Sequence, residues 1–174
     1  MKGLQFKIDG DWAHFKKPET NNNPLSHNLI PKTALIGMIG AVLGIEREKM
    51  KSLFPQLSED LLYGVELLKP VKKASCGFTS HTAINPTAIK SPKAFEMLRD
   101  VSYKVCVGLN GERSQSIFDD FQNAILEGYA VYDPYLGIAN CPAELTFISH
   151  GKFTMMGNGD FKTLSLIHIS EPTR

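Results

Sequence analysis

Four side chains near the N-terminus place an aromatic ring, an imidazole and two ammonium groups close together in the sequence. They are Trp12, His14, Lys16 and Lys17. Unpaired nucleobases stack on aromatic and imidazole rings, and cations neutralise the phosphates between them. The alternative is that Trp12 or Phe15 packs in the core while the two lysines are only solvated. The sequence alone leaves both interpretations open.

A basic segment lies in the middle of the chain, although the formal net charge of the whole chain is only +1. Between positions 69 and 104, seven lysine and arginine residues are opposed only by Glu96 and Asp100. From 105 to 163, seven acidic residues outnumber three basic ones. Local positive charge is what a polyanionic partner requires. A solvated, lysine-rich loop is the alternative interpretation of the same segment.

No motif of an established catalytic, cofactor or metal site occurs in the sequence. The phosphate-binding GxxxxGK[ST] and GxGxxG patterns are absent, and so are HExxH and GxSxG. Adjacent carboxylates at Asp119 and Asp120 fall on a predicted helix and indicate an exposed face. His81 has Ser80 and Thr82 beside it, but acid–base catalysis needs a partner that the sequence does not place. We therefore expect no catalytic residue, metal, cofactor or small-molecule substrate.

Composition favours a single domain in a reducing compartment. The chain has 174 residues, of which 43% are hydrophobic, and this suits one domain with a buried core. Its three cysteines are widely spaced and form no CxxC pair, which argues against disulfides and zinc. The N-terminus lacks the apolar core of a secretory signal, and no apolar run of about 18 residues occurs. We predict a cytoplasmic protein without a membrane partner.

Hydrophobic periodicity predicts an α+β domain. The predicted elements are a strand at 4–8, helices at 34–45 and 46–54, strands at 61–68 and 101–107, a helix after Ser114 and a strand at 145–148. Thr33 is the expected N-cap of the first helix, and Pro55 should close the second. The helix after Ser114 has an apolar stripe formed by Ile117, Phe118, Phe121, Ile125 and Leu126. This βαββαβ order is that of the ferredoxin-like fold, which RRM-type RNA-binding domains share.

Several stretches in this order resemble the CRISPR-associated "Cas five" family, most closely its subtype I-B branch. The stretches are 6–18 (FKIDGDWAHFKKP), 29–45 (LIPKTALIGMIGAVLGI), 63–65 (YGV), 134–139 (PYLGIA) and 142–144 (PAE). The resemblance implies a RAMP-type ferredoxin-like domain with a β-hairpin "thumb" between its second and third strands. The basic segment at about 69–100 occupies the position of that thumb.

The resemblance also implies a role in antiviral defence. In the family, this subunit caps one end of the surveillance complex Cascade, grips the 5′ handle of the CRISPR RNA, and contacts the backbone and large subunits. From location and chemistry we choose RNA-binding candidates: His14, Lys16 and Lys17 at the strand end, Lys32 and Thr33 at a helix N-terminus, and Lys72, Lys73 and Arg99 in the thumb. Free N–H groups at a helix N-terminus can bind a phosphate.

Two other functions remain as alternatives. In the related subtype I-C branch, this subunit cuts precursor CRISPR RNA without a metal. Tyr103, Lys104 and His81 have suitable chemical types, although no matching motif surrounds them. The second alternative is a structural subunit that contacts mainly proteins, which the apolar, glycine-bearing helix at 34–45 permits.

The last residues, 164–174, resemble the in-frame translation of a sequencing-library adapter. We therefore expect that 1–163 is native, that the adapter-derived residues 164–174 replace a missing C-terminal portion of the domain, and that they take no part in the fold.

Overall fold

The computed structural model describes residues 1–20, 23–81 and 90–154, without the side chains of Ser80 and His81. Its elements are β1 (Lys2–Ala13), α1 (Lys32–Val42), α2 (Arg47–Asp60), β2 (Leu61–Leu67), β3 (Lys72–His81), β4 (Lys90–Leu109), α3 (Gln115–Glu127) and β5 (Glu144–Lys152). Among the described residues, no helix has the length and apolar character needed to cross a membrane. The predicted boundary at 163 and the tail at 164–174 lie outside the described residues.

An antiparallel sheet with strand order β2-β4-β1-β5 forms the centre of the molecule. Alternation in β1 buries Leu4, Phe6 and Ile8 and leaves the intervening Gln5 and Lys7 partly exposed. The helices contribute to the same core as these strands. Phe121 of α3, for example, meets Phe6 edge to face, with ring centroids 5.6 Å apart. The predicted ferredoxin-like α+β fold is confirmed.

The longest strand, β4, pairs with different strands along its two halves. Its second half pairs with β1 and β2 in the central sheet, and its first half, 90–99, pairs with β3. We call β3 and residues 90–99 together the hairpin. Because the hairpin lies between the second and third strands of the ferredoxin-like order, it confirms the expected thumb. The register places Lys72 opposite Arg99 where the hairpin meets the sheet, and we call this region the hairpin base.

The helix boundaries differ from the prediction in two places. The first helix begins at Lys32, with Pro31 and not Thr33 as its N-cap, because Pro31 has the extended backbone of a cap. The second helix continues through Pro55 to Asp60. Proline removes one helical hydrogen bond, but Leu57 is buried and the Asp60 carboxylate accepts hydrogen bonds from Arg113 and Ser114. These contacts hold the last turn in place.

The third helix follows the predicted stripe except at one end. Phe118, Phe121 and Ile125 are buried as expected, but the side chain of Leu126 is 53% exposed and Ala124 is buried instead. Residues three and four apart share a helix face, so position 124 aligns with 121 whereas 126 does not. The five-residue separation of 121 and 126 explains the error.

Candidate nucleic-acid interface

The structure brings three of the predicted RNA-binding residues together at the hairpin base. Lys72, Lys73 and Arg99 are all exposed. The Arg99 guanidinium lies over the ring of Trp12, 5.4 Å from its centroid, in a cation–π contact. This contact joins the hairpin to the end of β1. Lys72 lies opposite Arg99 in the register and shares its face, whereas Lys73, the next residue of β3, points to the other face. The hairpin base therefore carries an aromatic ring and two cations on one face and a third cation on the other, groups of the kind that bind unpaired nucleic acid.

The carboxylates next to these cations hold them in place without neutralising all of them. Nζ of Lys72 lies 3.4 Å from Oδ2 of Asp100, and Nζ of Lys69 lies 2.6 Å from its Oδ1. Nζ of Lys73 lies 3.0 Å from Oε1 of Glu96. Hydrogen bonding from Lys69 is the main cause that lowers the pKa of Asp100. Exposed pairs of this kind are weak, so the ammonium groups stay available to a phosphate.

Lys16 and Lys17 lie in a loop that packs against the hairpin. Lys16 is exposed and forms an isolated β-bridge with Ser26. The N–H of Lys17 donates to the carbonyl of Leu25, and the N–H of Glu96 donates to the carbonyl of Pro24. The charge of Lys17 also contributes to the lowered pKa of Glu96. Lys17 therefore lies near the face of the hairpin that carries Glu96, and Lys16 precedes it in the same loop.

His14 is not available at the surface, contrary to its choice as a base-stacking residue. Only 2% of it is exposed, and its ring packs edge to face against Phe95. Its Nδ1 lies 2.9 Å from the carbonyl oxygen of Glu96, so Nδ1 carries the proton. Its backbone N–H donates to the carbonyl of Leu136. His14 connects β1, the hairpin and the 134–142 loop, and we remove it from the RNA-binding set.

Lys32 and Thr33 lie at the start of α1, where Lys32 faces another helix. The Lys32 ammonium donates to the carbonyl of Ser58 in α2, and burial lowers its pKa. Thr33 is exposed one residue inside the helix. No described hydrogen bond or ion pair connects either residue to the hairpin. The structure therefore does not group them with Lys72, Lys73 and Arg99.

Glu96 has a structural role in this region beyond the opposing charge that its sequence position indicates. Its Oε1 accepts the backbone N–H of Ser26 at 3.1 Å and the Lys73 ammonium at 3.0 Å. Burial acts to raise the pKa of Glu96, but the hydrogen bonds from Lys73 and Ser26 outweigh it and lower the pKa. Glu96 thus remains ionised and fixes the loop at 23–26 to the hairpin. Its position as one of only two acids within a basic segment is the sequence signal that points to it.

An acidic cleft of about 410 Å³ lies on the sheet side of the hairpin base. Its charged lining residues are Asp9, Asp11, Asp100, Glu144 and a single cation, Lys69. Four carboxylates repel phosphate, so a nucleic acid would avoid this cleft.

The residues considered for ribonuclease chemistry do not face one another. Tyr103 is fully buried, its hydroxyl donates to the carbonyl of Asn28 at 2.9 Å, and burial raises its pKa. Lys104 follows it in the strand and therefore points to the opposite face, where its Nζ lies 3.6 Å from Oε2 of Glu66. The side chain of His81 lies outside the described residues. Within the described part of the chain, no group of three or more potential ligands is arranged to hold a metal ion.

Comparison with known protein families gives a match over nearly the whole chain. The family described as "CRISPR-associated protein (Cas_Cas5)" matches residues 3–163. The chain belongs to this Cas5 family. The match includes the hairpin and each of the stretches that carried the sequence resemblance. No curated protein sequence matches the chain.

Solved structures share the fold of this Cas5 chain at low sequence identity. A chain of a "CRISPR RNA-guided surveillance complex" has a TM-score of 0.58 and 17% identity over 79% of this chain and 58% of its own length. A chain of the "Type III-B Cmr-beta bound to cognate target RNA and AMPPnP" has a TM-score of 0.55 and 11% identity, over 91% and 66%. A "CRISPR-associated Protein" crystal structure gives 0.50 and 15%, over 86% and 69%. This chain thus spans little more than half of the first relative's length.

Proposed function

We propose that this Cas5 chain is a non-catalytic, RNA-binding subunit of a cytoplasmic type I CRISPR surveillance complex in antiviral defence. It holds the 5′ handle of CRISPR RNA at the hairpin base. The observation that carries the proposal is the placement of cations on both faces of the hairpin base: Lys72 and Arg99 with Trp12 on one face, and Lys73 with the nearby Lys17 on the other. Cations would bind the phosphates and the aromatic ring would stack a base.

The similar folds support the assembly part of the proposal. Two of the structures with this fold are chains of RNA-guided or RNA-bound CRISPR complexes. The sequence resemblance adds the subtype, I-B, and the two protein neighbours, the backbone subunit and the large subunit. Fold likeness alone does not assign a role; family membership and the cations of the hairpin base together support RNA binding.

A groove on the helical side offers a surface for the protein partners. It has a volume of about 990 Å³ between α1 and α2, with Phe54, Tyr132 and Tyr135 among its lining residues. Tyr132 and Tyr135 are about half exposed. The backbone N–H of Tyr132 donates to the carbonyl of Ala41, which fixes the loop that carries it. Ordered, exposed tyrosines are typical of protein interfaces, so this side suits another subunit.

The alternative function, metal-independent cleavage of precursor CRISPR RNA, has less support. A cleaving site needs one group to activate the ribose 2′-hydroxyl and another to protonate the leaving oxygen. Tyr103 lies in the core and Lys104 on the opposite face of β4. With this geometry, the two groups cannot both reach the 2′-hydroxyl and the leaving oxygen of one cleavage site.

Incubation with the repeat RNA of its own locus in EDTA separates the two functions. We expect the purified chain to shift the RNA in a native gel. On a denaturing gel, the RNA should be intact. A variant chain that lacks the hairpin residues 72–99, purified in the same way, controls for contaminating nucleases. A single, reproducible cut within the repeat, absent from that control, would establish the ribonuclease instead.

A further inference from the structure

A second, smaller cleft adjoins the hairpin base on the side away from the acidic cleft. It has a volume of about 350 Å³ and lies between the loop at 23–26 and the hairpin. Asn23 and Leu25 line it from the loop; Lys73, Ser75 and Glu96 line it from the hairpin. Ser75 and Glu96 are directly opposite each other in the β3–β4 register. We call this the hairpin cleft.

Main-chain hydrogen bonds fix both walls of the hairpin cleft. The N–H of Glu96 donates to the carbonyl of Pro24 at 2.9 Å, and that of Ser26 donates to Oε1 of Glu96 at 3.1 Å. The N–H of Ala94 reaches Oδ1 of Asn23 at 3.5 Å. A cleft whose walls are already positioned loses little entropy when a ligand enters it.

The chemistry of the hairpin cleft selects a ligand that donates hydrogen bonds. Glu96 is ionised, and among the described residues its Oε2 has no hydrogen-bond donor, whereas Oε1 is used by Ser26 and Lys73. A carboxylate repels a phosphate but accepts the exocyclic amino group of a base. The side chain of Leu25, 41% exposed, offers an apolar surface to the face of a ring.

We propose that the hairpin cleft is a base-selective subsite, which holds one unpaired base bearing an exocyclic amino group. The amino group donates to Oε2 of Glu96, the ring lies against Leu25, and Lys73 contacts the adjacent phosphate. This inference rests on the proposed RNA-binding function and adds sequence preference to it. Lys73 and Lys17 flank the carboxylate and hold the backbone while Glu96 distinguishes cytosine, adenine and guanine from uracil.

The test compares short RNAs that differ at one base. The full chain would be titrated with fluorescent oligouridine of about eight nucleotides, a typical single-strand site size, and with the same RNA carrying one cytidine. We expect the cytidine to increase affinity by about fivefold to tenfold, the discrimination given by one good base contact. Equal affinities of the wild-type chain for the two RNAs would overturn the subsite, whether or not any variant folds.

The variant Glu96→Gln should reverse this preference. Glutamine keeps an oxygen for Ser26 and Lys73 but presents an N–H₂ donor in place of Oε2. Uridine carries a carbonyl oxygen where cytidine carries its amino group, so uridine becomes the better ligand. Glu66→Gln, a carboxylate paired with Lys104 in the central sheet, is the matched control and should keep the wild-type preference. A folded Glu96→Gln variant that still prefers cytidine would contradict the subsite alone. Failure of the wild-type chain to bind any RNA, including its repeat, would contradict the proposed function.

Discussion

Replacement of Gly137 by alanine is expected to destabilise the chain more than the same replacement at any other glycine that the structure describes. Gly137 has φ of +90°, and a Cβ there would lie 1.9 Å from the carbonyl oxygen of His14. That oxygen belongs to backbone held by the hydrogen bond from the His14 N–H to Leu136. Left-handed strain and overpacking together cost about 3–5 kcal/mol, a large part of the roughly 5–15 kcal/mol that stabilises a domain.

Gly128 provides the matched control for this prediction. It ends α3 with φ of +67°, but a Cβ there has nothing within 4 Å. Gly128→Ala should therefore cost only the conformational strain, about 1–2 kcal/mol. Urea unfolding followed by circular dichroism would measure both variants. Equal unfolding midpoints for the two variants would show that the 134–142 loop does not hold His14 as described.

Removal of the three cations at the hairpin base should produce the largest loss of RNA binding. We expect Lys72→Gln, Lys73→Gln and Arg99→Gln together to weaken repeat RNA binding by about tenfold or more. Glutamine is preferred to glutamate because a new carboxylate beside Glu96 or Asp100 would repel it and disturb the hairpin. Each phosphate contact on a single strand contributes about 0.7 to the slope of log K against log salt. The slope should therefore fall in magnitude by about 2.

Lys49 and Lys51 supply the control for the loss of charge. Both are exposed on α2, away from the hairpin. Lys49→Gln and Lys51→Gln should leave affinity and salt slope close to the wild-type values, as measured by fluorescence anisotropy at several KCl concentrations. The scaffold alternative, with little RNA contact, predicts the opposite pattern for the hairpin variant: an unchanged affinity and an unchanged slope.

Local sequence patterns predicted the fold well because strands and helices leave short-range periodic signals. Leu4, Phe6 and Ile8 alternate with polar residues, and they form the buried face of β1. The hairpin had no such signal within 69–93, where proline, serine and threonine are scattered, and its position came from the family resemblance. Pairing between β3 and β4 depends on contacts between the two strands, which residue periodicity in either strand alone does not encode.

The candidate site was harder to predict because burial is decided by distant parts of the chain. His14 looked like a surface residue beside Lys16 and Lys17, yet its ring is enclosed by Phe95 and its Nδ1 bonds the carbonyl of Glu96, 82 positions away. Lys32 looked free at a helix N-terminus, yet its ammonium bonds the carbonyl of Ser58. Charge composition did indicate the hairpin lysines. Lysine is exposed in most proteins, so this prediction did not depend on contacts with distant parts of the chain.

Locating the RNA on the chain would test the proposed RNA-binding surface directly. Ultraviolet crosslinking of the repeat RNA to the purified chain, followed by mass spectrometry of the crosslinked peptides, identifies the residues in contact. The proposed function predicts crosslinks to Trp12, to residues 16–20 and 23–26, and to the hairpin base around 72–75 and 96–99. Crosslinks confined to the α1–α2 groove around Phe54, Tyr132 and Tyr135, or none above those of a non-binding control protein, would contradict it.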